Sequence, residues 1–138
     1  MDKVQKVYDF MQEAGYYFLL TVDAKGYPKG RAFTSKMIAG GKLYLVTGKE
    51  KRVFQQLQAH PQVEIMAYQM KQQQYLRADA TAVVVDDLDL VKQYLDKEPQ
   101  VRGDFQGEAE PQVGLFYLKN AQGEILALDG TVKETFTF

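Results

Sequence analysis

The 138 residues include no cysteine and a single histidine. Disulfides, thiolate nucleophiles and cysteine metal sites are therefore excluded, and His60 alone cannot build a multi-histidine metal centre. His60 precedes Pro61 at the end of a helical pattern, so it reads as a C-terminal residue favoured by the helix dipole and not as a general base. No apolar run approaches the roughly 18 residues that cross a bilayer, and the N-terminal segment is polar and amphipathic where a signal peptide would be apolar. A single cytoplasmic domain over residues 1–138, away from membranes, is expected. No catalytic triad, carboxylate pair or metal cluster is visible, so no protein acid, base or metal is expected to carry chemistry.

What the sequence does have is a local surplus of positive charge. Lys25 to Arg52 holds eight basic residues and one acid, Glu50, leaving nine basic against 17 acidic in the rest. Such a field suits a small anion, whereas a chain with pI ≈ 5.8 is poorly matched to nucleic acid. The same lysines could also serve only to discourage edge-strand aggregation.

The stretch from Leu43 to Val63 reads as strand, cationic turn and short helix. Leu43, Tyr44, Leu45 and Val46 are apolar and β-prone, and Thr47-Gly48-Lys49-Glu50 fits a capping box in which Thr47 caps the helix and Glu50 reciprocates. Val53, Phe54 and Leu57 form a narrow apolar stripe, and Pro61 should end the helix near Ala59. Unpaired amides at such a helix start, with Lys49, Lys51 and Arg52 beside them, suit a phosphate; they are also what a well-capped, solvated helix start looks like.

Elsewhere the periodicity predicts a first helix capped by Asp2 and stopped by Gly15, with Val4, Val7, Tyr8 and Met11 on one face. A hairpin follows from Tyr16 to Ile38, turning at Asp23-Ala24-Lys25-Gly26, and Ala39 to Lys42 makes the next turn. Val63 to Met70 and Tyr75 to Val85 read as strands, and Leu88, Val91 and Leu95 mark another helix. Pro99 to Gln112 reads as a surface loop with solvated acids. Val113 to Lys119 and Glu124 to Leu128 read as a final hairpin turning at Asn120 to Gly123, and the alternating tail from Val132 to Phe138 as an edge strand or a partner contact. Short strands with peripheral helices indicate a mainly β antiparallel barrel.

The order of these elements resembles the pyridoxamine 5′-phosphate oxidase-like family of FMN-binding split barrels. The resemblance is carried by Gly26-Tyr27-Pro28, Gly30-Arg31-Ala32-Phe33, Gly41 to Thr47, the spacing of Lys51, Gln56-Leu57 and Pro61-Gln62-Val63, and Gly114 to Lys119. It implies a six-stranded antiparallel Greek-key split barrel that forms a homodimer and binds FMN at the subunit interface. By the same resemblance Arg31 would hold the polar tail of the flavin and Lys36 would lie near the ring. Phe33 and Thr34 would line the ring, and Thr47, Lys51 and Arg52 would hold the phosphate. Two departures stand out: Val53 occupies a slot where many members have lysine, and Lys51 one where many have serine. Val53 could belong to the apolar stripe or face the phosphate. The sequence to Phe138 also lacks the Arg- and Trp-containing segment that pyridoxamine phosphate oxidases use for substrate, which disfavours vitamin B6 oxidation.

The function expected from the resemblance is an FMN-dependent oxidoreductase or flavin reductase for a small molecule, with the chemistry carried by the flavin. The alternatives are a non-catalytic flavin, deazaflavin or haem-binding protein of the same fold, and an interaction module without a cofactor.

Overall fold

The computed structural model describes residues 2–138. Helix α1, Lys3–Ala14, starts where the Asp2 carboxylate accepts the Val4 amide at 3.1 Å and stops at Gly15, whose φ of 92° requires no Cβ. Strands β1 (Tyr17–Val22) and β2 (Pro28–Phe33) form the first hairpin, in which the Asp23 carboxylate accepts the Lys25 and Tyr27 amides at 2.9 Å. Next come β3 (Met37–Ala39), β4 (Lys42–Gly48), α2 (Arg52–Ala59), β5 (Gln62–Gln69), β6 (Gln74–Val85) and α3 (Leu88–Lys97). Two 3-10 turns, Pro99–Asp104 and Glu110–Gln112, lead into β7 (Val113–Ala127) and β8 (Val132–Thr137).

The antiparallel sheet runs β2-β1-β5-β6-β7-β4-β3, with β8 added to β7. This matches the expected mainly β split-barrel class with peripheral helices, with eight strands in place of six. Side-chain alternation on β4 explains why that strand is buried on both faces. Leu43 and Leu45 point into a core shared with α1 and α2, while Tyr44 and Val46 point into a second core under α3. Burial on both faces is what its near-continuous apolar run provides.

Three local expectations are corrected. The predicted extended segment from Lys29 to Ile38 breaks at Thr34–Lys36, because the Tyr17 hydroxyl donates to the Ser35 carbonyl and the Lys36 side chain turns inward. The predicted hairpin turn at Asn120 to Gly123 is a kink within one strand: β7 continues through Asn120 at φ 54°, and its register against β6 slips between Asp79 and Thr81. The actual hairpin joins β7 to β8 over 128–131, where the Thr131 amide donates to Asp129 and Gly130 has φ 90°. Finally, Thr47 does not cap α2. It lies in β4 opposite Gly114, the cap position is Lys51 with no side-chain bond, and Glu50 is exposed. Extension of the sheet to Gly48 outcompetes the capping box.

Candidate functional site

The C-terminal end of β4 meets the broken β2–β3 connection at a cavity of ≈ 390 Å³. One wall is Phe33, Thr34 and Ser35; the floor is Val46, Thr47 and Gly48, continued by Lys51. The third wall comes from the first 3-10 turn and its end: Gln100, Val101, Asp104 and Phe105. A Cβ placed on Gly48 would lie 3.4 Å from the Phe105 ring and 3.5 Å from the Lys51 stem, ordinary contact distances, so both side chains pack closely over the strand end. Hydroxyls, one ammonium and an apolar lining in a cavity of this size suit a small-molecule ligand.

The wall at Ser35 is held from beneath. Tyr17 and Tyr94 are fully buried; the first donates to the Ser35 carbonyl at 2.6 Å, and the second shares a 2.7 Å hydrogen bond with the Ser35 hydroxyl. Burial pushes both phenol pKa values up, so both remain neutral partners. The opposite wall is fixed by Arg102, which donates to Glu110 at 2.6 Å, and by Gln112 Nε2, which donates to the Gln106 and Glu108 carbonyls at 2.8 and 2.6 Å. The predicted solvated loop is thus a built wall. Its weak periodicity gave no sign that it returns to the cavity.

Of the seven residues singled out from the sequence, Phe33, Thr34, Thr47 and Lys51 come together here. Arg52 is exposed at the start of α2 and does not line the cavity. Arg31 reaches from β2 toward β1 and α2, donating to the Leu19 carbonyl at 3.1 Å, the Thr21 hydroxyl at 2.7 Å and Gln56 Oε1 at 3.0 Å. Lys36 is buried at 2% exposure: its ammonium donates to Gln12 Oε1 at 2.7 Å and sits 4.8 Å over the Tyr8 ring. Burial lowers its pKa, and Glu98, which accepts the Lys36 amide, partly offsets that effect. Val53 is 5% exposed among the residues that dock α2, so the apolar reading of that position holds. Ser35, Gly48, Gln100, Asp104 and Phe105 were not anticipated.

Other depressions are larger, and two of them, ≈ 680 and ≈ 580 Å³, lie on the outer sheet face around Glu64, Asp79 and Gln122. Glu64 and Asp79 are direct cross-strand partners, and burial together with Asp79 raises the Glu64 pKa. This carboxylate-rich surface is a poor phosphate site.

The sequence profile of the pyridoxamine 5′-phosphate oxidase family matches residues 4–127, and the chain belongs to that family. Comparison with curated proteins returns no match. Among solved structures, a NimC/NimA family protein from Clostridium acetobutylicum is similar with TM-score 0.86 and 24% identity, over 99% of this chain and 94% of that one. A pyridoxamine 5′-phosphate oxidase-related, FMN-binding protein from Nostoc punctiforme aligns with TM-score 0.70 and 18% identity, over 96% and 86%. A candidate 5-nitroimidazole antibiotic resistance protein from Bacteroides thetaiotaomicron aligns with TM-score 0.61 and 16% identity, over 91% and 85%. At these identities the likeness is one of fold.

Proposed function

We propose that the protein is a flavin-binding oxidoreductase that holds FMN in the cavity at the end of β4 and acts on a small molecule. The observation that carries this reading is the convergence of Lys51, Thr47, Thr34 and Ser35 with the apolar sides of Phe33, Val46 and Phe105 around one space. Lys51 and the Thr47 hydroxyl would hold the phosphate, and Phe33 and Thr34 would flank the ring. When bound, the flavin supplies the electron or hydride transfer. The chain supplies binding, orientation and a wall whose Ser35 is hydrogen-bonded by Tyr17 and Tyr94.

The family membership and the FMN-binding description of the Nostoc relative support this assignment, and the nitroimidazole-resistance relative makes a nitroaromatic compound a reasonable first substrate to try. A homodimer belongs to the proposal too. Tyr16, Phe18 and Tyr68 are 54%, 38% and 39% exposed on the outer sheet face, and a second copy would cover them.

The decisive experiment is mass spectrometry of ligand released from the purified protein on acid denaturation, followed by titration of stripped protein with FMN. Wild type should bind FMN, and Lys51→Ala should bind it about tenfold to hundredfold more weakly while remaining folded. No flavin in the released fraction and no binding on titration would reject the proposal. Reduction of bound FMN by a nicotinamide donor separates an oxidoreductase from a passive binder.

A further inference from the structure

The charges around the cavity are not those of a tight phosphate grip. Lys51 is its only cationic lining residue among the described residues: Arg31 is committed to Thr21 and Gln56, Lys36 is turned toward Gln12, and Arg52 is exposed outside the lining. Asp104 lines the same space as Lys51. The cation nearest to it in sequence, Arg102, is held by Glu110 at 2.6 Å and faces Asp96 at 3.8 Å. Asp104 therefore has no ion-pair partner among the described residues.

The turn that carries this carboxylate is anchored on both sides. Val101 is buried at 6% exposure in the α3 core, and the Phe105 amide donates to the Arg102 carbonyl at 3.2 Å. An approaching phosphate monoester thus meets one fixed-sign attraction and one fixed-sign repulsion. The formal charge that this chain contributes to the lining is zero, and the recognition left to its walls is that of the uncharged ring and sugar hydroxyls.

Resting on the flavin reading above, we propose that Asp104 is a specificity-determining residue that offsets Lys51, so that the cavity discriminates poorly between phosphorylated and unphosphorylated flavins. FMN and riboflavin then compete for one site, and the flavin exchanges with solution in the manner of a co-substrate.

The test is titration of the stripped, full-length protein with FMN and with riboflavin, in wild type, Asp104→Asn, Lys51→Gln and the double variant. Wild type should bind the two flavins within about tenfold of each other, which is what a single, largely offset charge contact allows. Asp104→Asn should tighten FMN by about threefold to tenfold and leave riboflavin unchanged, an effect that shrinks at high salt. Lys51→Gln should shift the ratio the other way, and the double variant should return close to the wild-type ratio. An Asp104→Asn protein with an unchanged FMN to riboflavin ratio, or a wild type that binds FMN more than about a hundredfold tighter, overturns this inference while leaving the flavin reading intact. Failure to bind either flavin overturns both.

Discussion

The Tyr17 phenol, buried at the start of β1, donates to the carbonyl of Ser35 at 2.6 Å, across the gap where β2 gives way to β3. That bond fixes the wall of the cavity from inside the protein. Tyr94 meets the hydroxyl of the same serine from α3, so two cores converge on one residue. Tyr17→Phe and Tyr94→Phe should each lower stability by about 1–2 kcal/mol in urea unfolding. Since both bonds end on Ser35, the double variant should depart from additivity, and strict additivity would show that the two tyrosines act independently.

Arg31→Ala should act on the fold and not on the ligand. The guanidinium joins β1, β2 and α2 through Leu19, Thr21 and Gln56, so its loss should cost about 1–3 kcal/mol in unfolding free energy. FMN affinity measured well below the melting transition should match wild type.

Lys36 buries a cation whose nearest partners are an amide oxygen, a backbone carbonyl 3.4 Å away and an aromatic face. Replacing it by methionine removes the desolvation penalty at similar volume, so Lys36→Met should be neutral or stabilising, whereas Lys36→Ala should destabilise by leaving a void. The pH dependence has a definite sign. The native pKa lies below the ordinary 10.5, so the unfolded chain binds more protons between the two values, and wild-type stability rises with pH through that window. The advantage of methionine should be full below the native pKa and fade as pH approaches 10.5. Melting curves across alkaline pH would check this.

Gly114 lies beneath the ring that docks α2. A Cβ there would sit 2.5 Å from Phe54 Cε1, so Gly114→Ala should destabilise by about 1–3 kcal/mol. Combining it with Phe54→Leu should recover part of that loss, which chemical denaturation of the three variants can measure.

Glu64 and Asp79 face each other across β5 and β6, with Arg77 and Glu124 as the neighbouring charged pair. Burial and Asp79 raise the Glu64 pKa above 4.5, so the native state binds the extra proton, and stability present below that value is lost as pH rises through the native pKa. Glu64→Gln should therefore be more stable than wild type at neutral pH, by about 0.5 kcal/mol because the site is largely solvated. The difference should vanish in mild acid, and a difference independent of pH would assign it to packing.

Much of the architecture was legible because local chemistry and burial agree. Asp2 and Gly15 bracket α1, the spacing of Leu88, Val91 and Leu95 marks α3, and the apolar run from Val63 marks β5, whose Val63, Ile65 and Ala67 are buried. The misread points are those where a tertiary contact overrides a local signal. Asn120 looked like a turn but is carried through by pairing with its neighbours, and Thr47 looked like a cap but is held in the sheet by Gly114. At the site, Lys51 and Thr47 stand out because they belong to the cationic stretch that leads from β4 into α2, whereas Phe33 and Thr34 are indicated only by the family resemblance. Asp104 and Phe105 could not be found, because only the packing of Val101 and the Arg102–Glu110 contact returns their segment to the end of β4.

The kink at Asn120 divides β7 between two neighbours: residues 113–117 pair with β4, and residues 122–126 pair with β8. The first half is locked between two cores, whereas β8 buries only Phe136, whose ring covers Gly123, and is tied to α1 by the Lys6–Glu134 ion pair. Amide hydrogens of β8 should accordingly exchange with solvent through a partial opening that leaves the β4–β7 ladder protected. Each such opening exposes the unpaired backbone edge of residues 122–126 beside the vacated space over Gly123, a template onto which the tail strand of another molecule could add.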